Sequence, residues 1–467
     1  MIPTVNYFKP SNYYAGVHSQ VFPNAPVGLL FDGDAGVPPY LGFTTSLRPI
    51  MPRVGFAYDV FGNGKTSIRG GAGMFYDTRE GADLYFTVAQ GNAPYFPTYT
   101  LVTPAGPFNN PYQGITSPFP LPPVIPKNTT FALPVTVQTV DGSHIVGVVP
   151  VVSNWNLTIE QQIASGWIFR VAYVGNHGSH LRDQDDINPA VYIPGSTLST
   201  TARRMFQGYG TIRETMFDCN SIYHGLQMTL EKRFTQGSFL HGLRLVANYT
   251  YSKVIDDVPY GAGVENTAEG SAVPFWFPNR HQMDTGPSDF DHTNVAVISY
   301  EYSLPRLKGA NKYARGFLGD WEFNGILTGD SGDPLTILSG VDNSKTGLGE
   351  DRAVVVGPAK GPGACGTAAP CVNYFNPNSF NLNAVGTYGN AGKGAYYGPN
   401  LIDWDMGLFK NFSLSEHFKL QFRAEFFNIL NRANFLDPTT SVSAAGFGSI
   451  KSANDPRIMQ FALKLNF

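Results

Sequence analysis

Charge is scarce in this chain. Asp, Glu, Lys and Arg make up 14% of its 467 residues, against roughly 25% in soluble domains. The formal net charge is −3, which leaves no basic footprint and excludes a nucleic-acid partner. Long apolar runs are missing as well. No stretch of 18 or more apolar residues occurs, so no transmembrane helix is expected. The opening MIPTVNYFKPSNYY has neither a charged start nor an apolar centre, so it does not read as a signal peptide. The expectation is either a cytosolic protein or a true N-terminus further upstream. Cysteine is used only three times. Cys365 and Cys371, in GACGTAAPC, are spaced for a small disulfide that would suit an oxidising exterior. No CxxC and no nearby histidine accompany them, so no metal is expected. Cys219 is expected to pack as an ordinary apolar residue.

What is abundant points the other way from helices. The chain has 34 Phe, 24 Tyr, 51 Gly and 35 Pro, a composition of many strands and many turns. In RVGFAYDVFGNGKTSIRGGAGMFYD, Val54, Phe56, Tyr58 and Val60 alternate with Arg53, Gly55, Ala57 and Asp59. The alternation resumes after Gly62-Asn63-Gly64 with Ile68, Met74 and Tyr76. Period-two patterning on both sides of an Asn-Gly turn predicts a hairpin. Gly64-Lys65-Thr66 resembles the end of a phosphate-binding loop. However, that loop needs glycine where Asp59 stands and a helix where Gly70-Gly71 follow.

The same alternation predicts further strands over residues 153–163, 167–175, 222–233, 243–253, 292–303, 320–331, 401–412 and 418–428, and a last one ending at Phe467. That makes eleven strands, most about ten residues long, where soluble strands average about five or six and a tilted bilayer-crossing strand needs about 9–11. Connections alternate in length. The short ones cover 62–65, 164–166, 234–242, 304–319 and 413–417. The long ones cover 78–152, 177–221, 255–291, 339–400 and 429–455. Short turns on one side and long loops on the other characterise an outer-membrane barrel. The predicted fold is therefore all-β, an antiparallel transmembrane β-barrel with long extracellular loops and short periplasmic turns. The apolar sets would face lipid. Glu160, Arg170, Arg244, Asn248, Arg423, Glu425 and Lys464 would face the lumen. Trp155, Trp167, Tyr249, Tyr251, Trp321 and Trp404 are candidates for aromatic girdles at the head-group level. Because membrane barrels have even strand numbers, eleven suggests part of a larger barrel. Residues 1–52 read as the tail of an extracellular loop and 53–467 as the C-terminal part of the barrel.

Four segments, PRVGFAYDVFGNGKTSIRGGAGMFYD, WNLTIEQQIASGWIFRVAYVGNHGSHL, GPSDFDHTNVAVISYEYSLP and LQFRAEFFNILNRANF, resemble the C-terminal barrel of Oar-like TonB-dependent outer-membrane transporters. The resemblance runs from about Val21 to Phe467. It implies roughly 11–12 strands of a barrel of about 22, preceded in family members by a carboxypeptidase-regulatory-like domain, a plug and a TonB box. It implies location in the cell outer membrane among lipid and lipopolysaccharide. It also implies uptake of an unknown bulky ligand, with the TonB complex acting through the missing N-terminal part. A structural or adhesive barrel is the competing reading. Phe461, Leu463, Leu465 and Phe467 match the family's terminal assembly signal, bound by the barrel-assembly machinery through edge pairing.

Other constellations carry less. His177 and His180, followed by Asp183, Asp185 and Asp186, read as the start of a solvated loop. Asp284, Asp289 and Asp291 do not have calcium-loop spacing, and Gly286–Asp289 reads as a turn launching a strand at His292. Gly389–Gly394 lacks the strand–helix frame of a dinucleotide site. No catalytic triad and no cofactor are expected, so the reading is not an enzyme.

Overall fold

A computed structural model describes residues 6–37, 50–76, 94, 106–116, 125–140, 150–234, 240, 242–259, 272–304, 311–349, 351–361, 373–415 and 418–466. Its frame is one antiparallel ladder of eleven strands: Arg53–Asp59 (β1), Thr66–Tyr76 (β2), Val151–Ala164 (β3), Trp167–Asp186 (β4), Tyr209–Lys232 (β5), Leu243–Asp256 (β6), Asn294–Ser303 (β7), Trp321–Asp330 (β8), Leu401–Ser413 (β9), Lys419–Phe427 (β10) and Ile458–Asn466 (β11). Each strand pairs with the next in chain order. The ladder therefore holds the eleven predicted strands and no crossover.

The GNGK turn shows why the phosphate-loop pattern fails. Gly62 and Gly64 have φ of 66° and 70°, a conformation that glycine adopts at least cost. The Asp59 carboxylate accepts hydrogen bonds from Gly62 N at 3.1 Å and Gly64 N at 2.8 Å. The residue that would repel phosphate already occupies the amides that would bind it.

Residues paired across a ladder share a face, so the register sorts the side chains. Val171 pairs with Ile159 and Met228, and Ile298 with Leu327 and Ala247. Phe422 pairs with Leu463. This apolar face is open to the surroundings: Val54, Leu463 and Phe461 are 73%, 70% and 62% exposed. The opposite face carries Glu160 beside Arg170, Arg244 beside Glu301, and Arg423, Glu425 and Lys464 beside Ala462, Gln460 and Gln421. The expected sidedness holds along the ladder. One consequence is steric. A Cβ on Gly175 would meet the Trp155 ring at 2.2 Å, so the missing side chain lets the paired indole lie over the strand.

An expectation about the loops is corrected. The segment 177–221 is not a loop throughout. β4 continues to Asp186 and β5 begins at Tyr209, giving strands of 20 and 24 residues. His177 and His180 therefore lie on a strand. Their polar sequence hid it, because above the bilayer both strand faces can be polar. Residues 6–37, within the segment read as a loop tail, also carry regular structure. Asn6–Phe8 pairs with Leu29–Phe31, and Asp34 ties the intervening chain by accepting from Ser19 Oγ, Gln20 N, Val21 N and Phe31 N at 2.6–3.1 Å.

These extensions build a core beyond the long-loop end. Phe8, Leu29 and Phe31 pack with Val137, Ile187, Phe206, Tyr209 and Ile212. The Phe8 ring lies 5.1 Å from Phe206 and 5.0 Å from Tyr209. Strand Val135–Val140, within the predicted loop 78–152, joins in parallel to β5. A second core gathers Leu335, Ile337, Phe375, Phe380 and Phe447 from the loops after β8 and β10.

Candidate functional site: the polar wall and its extracellular cap

Along the polar face of the ladder, Glu160 accepts from Arg69 at 2.8 Å and pairs with Arg170 at 2.7 Å, linking β2, β3 and β4. Across β6–β10 the face turns acidic. A cavity of about 580 Å³ is lined there by Arg244, Glu301, Glu322, Asn324, Asp405 and Glu425, among others. These side chains alternate with apolar ones on every strand, so the strand period alone brings them together.

Above the wall, ion pairs hold the cap, some of them buried. Arg280, in the short helix Arg280–Asp284, lies 3.1 Å from Asp183 and 2.7 Å from Asp218 and also pairs with Asp185. His281 sits between Asp218 at 3.3 Å and Asp257 at 3.7 Å. Arg352 pairs with Asp284 at 3.0 Å, Lys393 with Asp256, and Arg204 with Asp186 at 2.7 Å. Lys253 pairs with Asp291 at 2.7 Å just below. Charge thus stitches the loop after β6 to the ends of β4 and β5, and the loop after β8 to β6 and its loop.

Burial, then the neighbouring Asp185 carboxylate, pushes Asp183 up to about 7. Burial also pushes Asp218 up, but bonds from His281 and Arg280 outweigh it and hold this carboxyl low. His281 is raised, first by its bond to Asp218. Arg280 is raised in spite of burial by Asp185, Asp183 and Asp218.

Sequence reading located the acids and missed their partners. Asp284 and Asp291, weighed only against calcium, are ion-pair acceptors, and the strand after them starts at Asn294 rather than His292. Lys393, in the Gly389–Gly394 loop, is 2% exposed. Arg280 lies 97 residues from Asp183, and no local pattern joins them.

The girdle candidates fall at two levels. Trp167 and Trp321 open β4 and β8 at the short-turn end. Each faces a buried lysine in register, Lys232 and Lys410. The ammonium groups lie 5.8 and 5.2 Å from the ring centroids, and they donate to the carbonyls of Arg233 and Gly319. Trp155, Tyr249, Tyr251 and Trp404 lie in the long-loop half. Tyr249 donates to Asn294 Oδ1 at 2.7 Å, and Trp404 Nε1 to Tyr300 Oη at 3.1 Å. Phe461, Leu463 and Leu465 stand in register with Ala424, Phe422 and Leu420 on the apolar face. Phe467, Cys365 and Cys371 lie outside the described residues. Cys219 is a buried free thiol.

Comparison with known proteins follows the same lines. Residues 4–460 match the family described as outer membrane beta barrel domain. No curated protein sequence matches the chain. Among solved structures it is similar to the outer-membrane transporter YddB from Escherichia coli, at 12% identity over 89% of this chain and 40% of that one, with a TM-score of 0.45. It is also similar to a mutant of the ferric enterobactin receptor PfeA from Pseudomonas aeruginosa (11%, 89% and 39%, 0.38). A third is the pyoverdine receptor FpvA from Pseudomonas aeruginosa PAO1, bound to pyoverdine (11%, 89% and 36%, 0.37). The chain spans 40% or less of the length of these three. With a polar wall, an apolar outer face and a match over nearly its whole length, the chain belongs to the outer-membrane β-barrel domain family, whose place is the cell outer membrane.

Proposed function

We propose that this chain is the C-terminal part of the barrel of a TonB-dependent receptor that takes up a bulky ligand through the outer membrane. The observation that carries the reading is the open ladder. β1 and β11 each have one strand neighbour among the described residues. A rim of unpaired N–H and C=O groups in hydrocarbon costs several kcal/mol per group, at order of magnitude, and on this reading further strands close it. In an antiparallel ladder of eleven, both rims run in the same direction. Antiparallel seams then require an odd number of added strands, and about eleven more would give the 22 implied by the resemblance. On this reading residues 1–52 belong to an extracellular loop and 53–467 to the barrel.

A polar wall under a charge-stitched cap suits capture and release of a polar ligand better than passive sieving. The mechanism is permeation rather than covalent chemistry. Release would follow movement of a plug by the TonB complex, both outside this chain. Trp167 and Trp321 with their lysines would mark the periplasmic head-group level, and Trp155, Tyr249, Tyr251 and Trp404 the outer one. Amphipathic rings favour that depth, and the lysines keep their charge on a carbonyl. The strand ending Phe461, Leu463, Leu465 and Phe467 would engage the barrel-assembly machinery. Lipid and lipopolysaccharide would cover the apolar face.

The test is uptake of labelled ferric siderophores, oligosaccharides and oligopeptides by cells with and without the gene, each with and without TonB. Uptake of at least one ligand should require both. Uptake of every ligand that ignores the gene, together with gene-dependent surface attachment, would replace transport with an adhesive role.

A further inference from the structure

We propose that the extracellular cap holds a zinc-type divalent cation between Cys219, His281 and Asp257. Cys219 lies on β5, His281 in the short helix Arg280–Asp284, and Asp257 just after β6. One ligand atom from each, a sulfur, a ring nitrogen and a carboxylate oxygen, lies within 4.8 Å of the other two. Asp218 and Asp183 form a second such group with the same sulfur. Mixed S, N and O donors in this number are the set zinc takes, with water or a fourth carboxylate completing four-coordination. The surroundings already orient the donors. Asn220 N–H and Nδ2 donate to the Asp257 carboxylate, the latter at 3.4 Å. Arg280 fixes Asp218 at 2.7 Å, and the Cys219 thiol points at the Asp257 carbonyl, 3.6 Å away. Such outer contacts tune a metal site.

Bound zinc would displace the thiol proton of Cys219 to solvent, leaving a thiolate ligand beside a neutral ring nitrogen of His281 and a carboxylate oxygen of Asp257. The ion replaces hydrogen-bonded contacts with coordination and ties the short helix to the ends of β5 and β6, which the ladder already pairs. This site does not depend on the transport reading.

The test uses the full chain folded in detergent. Zinc is titrated against a chromophoric chelator at pH 6, and cobalt is followed by absorbance. The expected result is one equivalent of zinc, release of at least the thiol proton per ion, and a thiolate-to-cobalt charge-transfer band. Cys219→Ser should abolish the band, and His281→Gln should weaken zinc binding at least tenfold. Absence of binding, absence of the band, or binding unchanged in both variants would overturn the proposal. If C219S does not fold, H281Q and the cobalt band of the unaltered chain still decide it.

Discussion

Replacing Arg280 with Met tests whether charge holds the cap together. The side chain is 9% exposed and faces three carboxylates. Removing one partner of a buried ion pair costs about 3–5 kcal/mol, because the opposite charge is left in a poor solvent. The size should depend on pH. Asp183, pushed up to about 7 by burial and Asp185, is largely protonated at pH 6 and needs the guanidinium less. At pH 8 it is largely ionised, and the full penalty applies. The assay is amide hydrogen exchange of residues 183–186 and 280–284, corrected for intrinsic rates at pH 6 and pH 8. A loss of about 3–5 kcal/mol lowers protection by roughly two to four orders of magnitude where opening is local. The loss should be greater at pH 8. Protection in the β7–β8 ladder should not change, because those strands are held by their own register. Unchanged protection at pH 8, or a larger loss at pH 6, would refute the charge argument.

Other outcomes follow from the same structure. In the unaltered chain, Asp183 and His281 both have raised folded values. Their stabilising contributions are present at low pH and lost as pH rises through those values, whereas Asp218, held low, loses its contribution only in stronger acid. Cap protection should therefore fall between pH 6 and pH 8, and exchange that is flat across that range would contradict it. Val171→Arg, on the apolar face midway between Trp167 and Gly175, should cost about 2–4 kcal/mol in refolding into lipid vesicles. Asn248→Arg on the polar face should cost far less, and equal costs would refute the assignment of faces. Phe206→Ala, at 1% exposure beside Phe8 and Tyr209, should destabilise the cap by about 3–5 kcal/mol. The barrel strands should keep their protection, and their loss in parallel would show that cap and ladder are one cooperative unit.

The sequence by itself determined the ladder. Strand period is local, so Phe422 beside Arg423, or Leu463 beside Lys464, declares two faces without knowledge of any partner. The alternation of short and long connections likewise set all eleven strands in chain order. Local patterning failed where its cause disappears. Above the bilayer neither face of β4 or β5 must be apolar, so residues 177–186 and 209–221 looked like loop. The cap was decided only by tertiary structure. Arg280 meets Asp183, Arg352 meets Asp284, and Cys219 meets His281 across gaps in sequence that no periodicity spans. Burial and Coulomb attraction select those partners once the ladder has brought the loop ends together, and only then do a lone thiol and scattered acids become one site.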